Sequence, residues 1–283
     1  MTQNKDLKSA VRARVRETGE KYTEARRAVL ADRSGITDVL TEVSRAVQPG
    51  RITAILSGGG ATNFGLALPA IGKFLQAGRP LLHTTGGRDG FLTLPNDFDF
   101  AIQLGIATED EVVHALAADA LDQDFMTRME PLMRQITVLN GRAVYSELAA
   151  RLSERSADGL AGLMWVQDFD DGGPLALGRS KLGYREELEE QMPWLRRLAD
   201  ETGAAIVLGH LDDDLDQRDW WPIAQHADTT FVSAHDWDEP ESQDSWLVFD
   251  GTAERGVVRG SGTFSKWRAG CMQRSSGSGR PVR

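Results

Sequence analysis

The sequence predicts an α/β fold: a mostly parallel β-sheet flanked by helices, preceded by a short helical arm. Three observations lead there. Apolar runs of strand length alternate along the chain with longer stretches of helical periodicity, the pattern of strands joined by crossover helices. Several of those runs, at residues 52–56, 163–167 and 204–210, are apolar along most of their length, as expected of strands covered on both faces. A glycine-rich turn at residues 58–60 joins the first of them to a helix.

Taken in order, residues 5–31 read as a separate helical unit. Leu7, Val11 and Val15 recur at i, i+4 and i+8 among basic residues, Gly19 ends that helix, and a second begins at Tyr22. Such a pair either packs on its own domain or docks on a neighbouring subunit. A helix over 36–47 stops at the turn of Pro49 and Gly50, and strand 52–56 leads through the glycine turn into a helix over 63–77. Residues 80–85 form the next strand, 109–133 a polar helical stretch, 136–139 a short strand and 145–155 a helix. Strand 163–167 meets the acidic run Asp168, Asp170 and Asp171, and a glycine-rich loop over 172–183 follows. The helix over 186–201 aligns Leu188, Met192, Leu195 and Leu198, and strands follow at 204–210, 229–233 and 245–249. The tail beyond 272, rich in Ser, Gly and Arg, has the composition of a disordered segment.

Composition narrows the function classes. With 283 residues, 41% hydrophobic and 26% charged, the chain can bury one large core or two small ones. A net charge of −10 argues against broad, non-specific attraction to nucleic acid and leaves a local basic groove open. No apolar run is long enough to span a membrane, and the N-terminus lacks the apolar core of a signal peptide, so the expected location is cytoplasmic. The one cysteine, Cys271, excludes an internal disulfide and a multi-cysteine zinc site.

The strand, glycine turn and helix over residues 52–77 form the arrangement in which backbone N–H groups and a helix N-terminus face an anion. Its working form, G/A-x-x-x-x-G-K-[ST], uses the lysine on the β- and γ-phosphates and the hydroxyl on Mg²⁺. Counting on from Ser57, this chain has Thr62, Asn63 and Phe64 where glycine, lysine and the hydroxyl residue belong. The candidate nucleotide contacts are Ser57, Gly58, Gly59, Gly60, Ala61, Thr62, Asn63 and Phe64. Without the lysine, the loop either holds phosphate through backbone amides or is a structural turn. G-x-S-x-G is missing around Ser57, which speaks against a hydrolase nucleophile, and the glycines do not match G-x-G-x-x-G.

Longer strings point to a family. Gln225, His226, Ala227 and Asp228 precede an apolar run, then His235 and Asp236, and then Pro240, Glu241, Ser242, Gln243 and Asp244. Pro49 and Gly50 precede the first strand; strand 204–210 is followed by Asp216, Gln217 and Arg218; strand 163–167 ends at Asp168 and Phe169; and Arg255 stands within 252–256. In these strings, from about residue 36 to 270, the chain resembles the C-terminal ATPase domain of DnaB-type replicative helicases, whose fold is RecA-like. The Gln225–Asp244 segment resembles the family's Q-D-A-D…H-R-D…P-E-S-E-D, the strand at 163–167 its Walker B strand, and 252–256 its K-Q-R-N-G finger loop.

The resemblance implies catalytic roles for Asp168 as Walker B acid, His210 at the sensing-glutamine position and Arg255 as finger arginine. It also implies ATP and Mg²⁺ as cofactors, a homo-oligomer or a ring with active paralogues, and single-stranded DNA as a partner. The departures fall on functional positions. Asn63 and Phe64 replace lysine and hydroxyl, Thr84 and Thr85 stand where a strand ends in a catalytic glutamate, His210 replaces glutamine, and Gln167 competes with Asp168 for the Walker B register. Together they point to lost or weakened ATP hydrolysis, because neither the charge on the transferred phosphoryl group nor the attacking water is served.

The expectation is therefore an arm over 1–33, a RecA-like, DnaB-helicase-like domain over 34–270 and a disordered tail over 271–283. The leading function is a pseudo-ATPase assembly or regulatory subunit linked to DNA replication or to plasmid or phage maintenance. The alternatives are an active ATP-dependent helicase with non-standard residues and a small-molecule-binding α/β domain. No metal site is expected from the sequence itself. Asp168, Asp170 and Asp171 read as a solvated loop, and His210 beside Asp212, Asp213 and Asp214 as a hydrogen-bonded histidine. Trp220 and Trp221 read as packing residues, with base stacking or a subunit contact as the alternative.

Overall fold

The computed structural model describes residues 38–57, 62–85, 123–155, 161–167, 184–211, 217–233 and 245–259, with 11–16 and scattered positions within 18–29, 101–114 and at 175. In chain order the elements are α1 (Val39–Ala46), β1 (Ile52–Ser57), α2 (Thr62–Gln76), β2 (Leu81–Thr85), α3 (Gln123–Met133), β3 (Ile136–Asn140) and α4 (Tyr145–Arg155). They continue with β4 (Leu163–Gln167), α5 (Tyr184–Thr202), β5 (Ala205–Leu211), α6 (Gln217–His226), β6 (Thr229–Ser233), β7 (Ser245–Asp250) and β8 (Ala253–Arg259).

All eight strands form one sheet in the order β3-β2-β4-β5-β1-β6-β7-β8. The first six are parallel, and β7 and β8 close one edge antiparallel. This is the mostly parallel α/β sheet that the sequence predicts. Alternate side chains of β1 serve two cores: Ile55 joins Val43, Leu66, Ile71 and Trp165 on the face under α1 and α2. Ile52, Ala54 and Leu56 join Leu148, Met192, Leu195, Leu198 and Ile223 under α4, α5 and α6. A strand buried on both faces must be apolar at odd and even positions alike, which is why these runs were readable.

Two elements were not expected. α6 carries Pro222 inside a ten-residue helix, where the ring removes a helical hydrogen bond; Ile223 and Ala224 hold it by being fully buried. β8 begins with exposed and half-buried polar residues, and only Gly256, Val257 and Val258 are buried. Its first half has no strand pattern, and the segment expected as a finger loop is built into the sheet edge. Gly19 has φ +75° and its amide donates to the Val15 carbonyl at 3.0 Å, the helix ending read from sequence. The rest of the arm, the tail from 260 on, Cys271, His235, the loop over 172–174 and the acidic residues Asp212, Asp213 and Asp214 lie outside the described residues. Among those described, no helix is long and apolar enough to cross a membrane.

The edge of the sheet where the parallel strands begin is tied by one arginine. Arg196, from the polar side of α5, places Nη2 2.5 Å from Asp228 Oδ2 and 2.8 Å from the His226 carbonyl, with Nη1 3.4 Å from the Gly50 carbonyl. Asp228 Oδ2 also accepts the Ile52 amide at 2.8 Å, and the Asp228 amide donates to the Ile52 carbonyl at 2.8 Å. Gly50, at φ +69°, turns the chain so that its amide reaches the Gly203 carbonyl at 2.8 Å; a Cβ there would be strained. The starts of β1 and β6 and the ends of α5 and α6 thus share one charged, half-buried junction.

Two outcomes follow from that junction. Arg196→Ala leaves Asp228 half-buried and uncompensated and lowers stability by about 2–3 kcal/mol, read as a lower urea midpoint at unchanged m-value. Burial, and then the Arg196 charge, hold His226 below its ordinary pKa of 6.5. The unfolded chain therefore takes up the proton first, and stability present at neutral pH is lost as pH falls below about 6.5. His226→Gln flattens that acid limb of a stability–pH profile.

Candidate functional site at the strand ends

The register brings the sequence-predicted positions to one edge. Leu56 and Ser57 at the end of β1 pair with His210 and Leu211 at the end of β5. Thr85 at the end of β2 pairs with Gln167 at the end of β4. β5 lies between β1 and β4, so Ser57, His210, Gln167 and Thr85 stand along the carboxyl ends of adjacent strands, where open α/β sheets bind ligands. Thr62, Asn63 and Phe64 form the first turn of α2, reached from Ser57 across four residues. Gly58, Gly59, Gly60 and Ala61 lie outside the described residues, as do Asp168, Asp170 and Asp171; Gln167 is the last residue of β4.

α2 is suited to facing an anion. Its first turn contains no acid, so nothing opposes the positive end of the helix dipole. Pro69 sits eight residues in, beyond the amides of the first turn. Leu66, Ala67, Ala70 and Ile71 are buried against the sheet, which fixes the helix axis across the strands. The arrangement can orient backbone donors toward a phosphate without a side-chain cation.

The residues that would drive hydrolysis are not replaced by neighbours. Thr84 is 1% exposed and its hydroxyl lies 3.4 Å from the Trp165 carbonyl, so it is part of the β2–β4 packing and not a base toward solvent. Among the described residues no three His, Cys, Asp or Glu side chains group so as to hold a metal ion. Tyr145 is the titratable group pushed furthest: burial, then the 2.6 Å hydrogen bond to Glu201, raise its phenol to about 12. It lies at the start of α4, against Trp194 and Arg197 of α5.

Arg255 is at the other end of the molecule. Val248 pairs with Gly256 and Phe249 with Glu254, so Arg255 is the extra residue of a β-bulge and has no partner across the ladder. Bulges turn a side chain out of the regular alternation. Arg255 Nη2 lies 2.8 Å from Glu42 Oε2 on α1, and Nη1 3.7 Å from Asp250. The structure does not bring Arg255 to Ser57 and His210 within one subunit.

No protein-family model and no curated protein matches the chain by sequence. Solved structures do match it in three dimensions. The isolated ATPase domain of a DnaB-like helicase superposes with a TM-score of 0.55 at 14% identity, over 80% of this chain and 87% of that one. A DnaB-like replicative helicase, studied with its interactions with primase, superposes with a TM-score of 0.54 at 11% identity, over 92% of this chain and 72% of that one. At such identities the likeness is one of fold. The chain has the RecA-like α/β fold of DnaB-like helicase ATPase domains, as the sequence strings imply.

If the first turn of α2 holds phosphate by its amides, an acid placed there opposes binding. Thr62→Glu weakens binding of a fluorescent nucleotide by up to about tenfold, measured by polarisation, without moving the urea midpoint.

Proposed function

We propose that this chain is a DnaB-helicase-like RecA-fold protein that binds a nucleotide weakly and hydrolyses it slowly or not at all. In this reading it is a cytoplasmic assembly or regulatory subunit in DNA replication or in plasmid or phage maintenance. It comprises an arm over 1–33, the core over 34–270 and a tail over 271–283. The observation that carries the reading is the strand-end edge itself. Strand β1, helix α2 and the neighbouring ends of β5, β4 and β2 are laid out as in a nucleotide-binding domain, yet Asn63, Phe64 and Thr84 occupy the positions of lysine, hydroxyl and base.

The residues present fit the phosphates better than the metal. The acid-free first turn of α2 can hold phosphate oxygens, while Phe64 offers Mg²⁺ no ligand. In this chain's own terms, the backbone of 57–64 binds and orients a nucleotide, and nothing described there takes a proton from water. A missing lysine and base remove several kcal/mol of transition-state stabilisation, enough to reduce turnover by orders of magnitude. ATP and Mg²⁺ are thus its expected cofactors, single-stranded DNA its expected nucleic-acid partner, and a homo-oligomer or a ring with active paralogues its assembly.

Nucleotide binding and hydrolysis by the purified chain, with and without single-stranded DNA and with its mass in solution recorded, test this. Binding with negligible turnover is the expected result. Ordinary Mg·ATP turnover abolished by Asp168→Asn would overturn it in favour of an active helicase with non-standard residues. In a mixture with an active paralogue, Arg255→Ala lowers the partner's ATPase if Arg255 acts across the subunit boundary. Unchanged partner activity removes that role.

A further inference from the structure

A second polar cavity lies at the opposite edge of the sheet, where the parallel strands begin. Its volume is about 760 Å³, and its walls include Arg45, Arg51 and Arg255 as well as Glu42, Gly50 and Asp250. At roughly 3.3 Å per strand residue, the length of β1 separates it from Ser57 by about 16 Å. We propose that this groove binds a phosphate-bearing ligand through the guanidinium groups of Arg45, Arg51 and Arg255, with Glu42 as the residue that positions two of them.

The three arginines come from three elements: α1, the turn before β1, and the bulge in β8. Glu42, 12% exposed, uses both carboxylate oxygens: Oε1 holds Arg45 Nη1 at 2.7 Å, and Oε2 holds Arg255 Nη2 at 2.8 Å. One fixed carboxylate therefore sets two guanidinium groups side by side, each with N–H donors to spare. Their side chains remain 69% and 43% exposed, so those donors face the groove and solvent. Arg51 is exposed, and no carboxylate among the described residues pairs with it.

Charge favours an anion. Asp228 on the wall is already matched by Arg196, so Arg45, Arg51, Arg196 and Arg255 face three carboxylates, those of Glu42, Asp228 and Asp250. Guanidinium forks fit phosphate oxygens in pairs, and the cavity is of the size that takes nucleotide-scale ligands. The bulge supports the same reading: in regular register Arg255 would alternate with its neighbours, whereas the extra residue lets it reach Glu42. The groove belongs to a single chain and asks nothing of the strand-end site, so it stands apart from the proposed function. The phosphate can be that of a free metabolite or of a nucleotide carried by a neighbouring copy.

Inorganic pyrophosphate titrated into the full chain, followed through the arginine Nε–H NMR signals, tests the proposal, since those signals report on the groove separately from the amides of α2. The expected result is saturable shifts of Arg45, Arg51 and Arg255, with affinity reduced about tenfold or more in Arg51→Ala and in Arg45→Ala at unchanged melting temperature. Glu42→Gln weakens binding as well, and Glu42→Asp restores part of it, which a purely structural role for Glu42 does not predict. Affinity independent of chain concentration assigns the phosphate to a free ligand. Affinity that rises with assembly in the presence of nucleotide assigns it to a neighbour. Absence of shifts at millimolar pyrophosphate, or equal affinity in the arginine variants, overturns the proposal.

Discussion

The contact between Arg196 and Asp228 holds the centre of the sheet in place, and the other strands take their positions from it. A β-strand that opens a parallel sheet needs a partner for its first amide, and here Asp228 supplies it to Ile52 while Arg196 neutralises Asp228. The same guanidinium reaches the carbonyls of His226 and Gly50. Because β1 lies between β5 and β6, fixing its start fixes the register of the sheet's centre. The opposite, carboxyl edge is then positioned by strand length alone, since each strand ends where its ladder does.

That geometry separates two jobs in space. At the carboxyl edge, strand ends and the start of α2 define a place for an anion without a lysine beside it. At the amino edge, Arg196, Arg255, Arg45 and Arg51 gather around carboxylates from α1, β6 and β7. Resemblance in sequence strings and likeness in fold agree on the framework and say little of the chemistry, because the departures lie where chemistry is done. A degenerate loop on an intact framework is what remains when selection keeps packing and assembly but not turnover.

Much of the framework was legible because burial on both faces writes long apolar runs. Residues 145–155, 163–167 and 229–233 emerged as the elements α4, β4 and β6 with the boundaries read from sequence. β8 was hidden because Ala253, Glu254 and Arg255 open it at the sheet edge, half in solvent, and a bulge breaks the alternation. α6 was hidden by Pro222, which local propensity counts against a helix and tertiary packing overrides. The candidate site was legible as a motif at Ser57 and as strand ends, but the anchoring role of Asp228 was not. Its partner Arg196 is 32 residues away, and nothing local in either string announces the contact.

The sheet order has a consequence for how the chain comes to be folded. β1 is made early, yet its neighbours in the finished sheet are β5 and β6, beginning at Ala205 and Thr229. Until β5 has left the ribosome, the most central strand has nothing to pair with on either side. Its apolar residues must wait beneath α1 and α2, in a partial layer whose open strand edges are the kind that attract other chains. Long loops must close before the central ladders form, which places this protein among slow folders of high contact order. A nascent chain stopped before residue 205 holds a nucleotide-type loop on a strand that has not yet acquired a sheet.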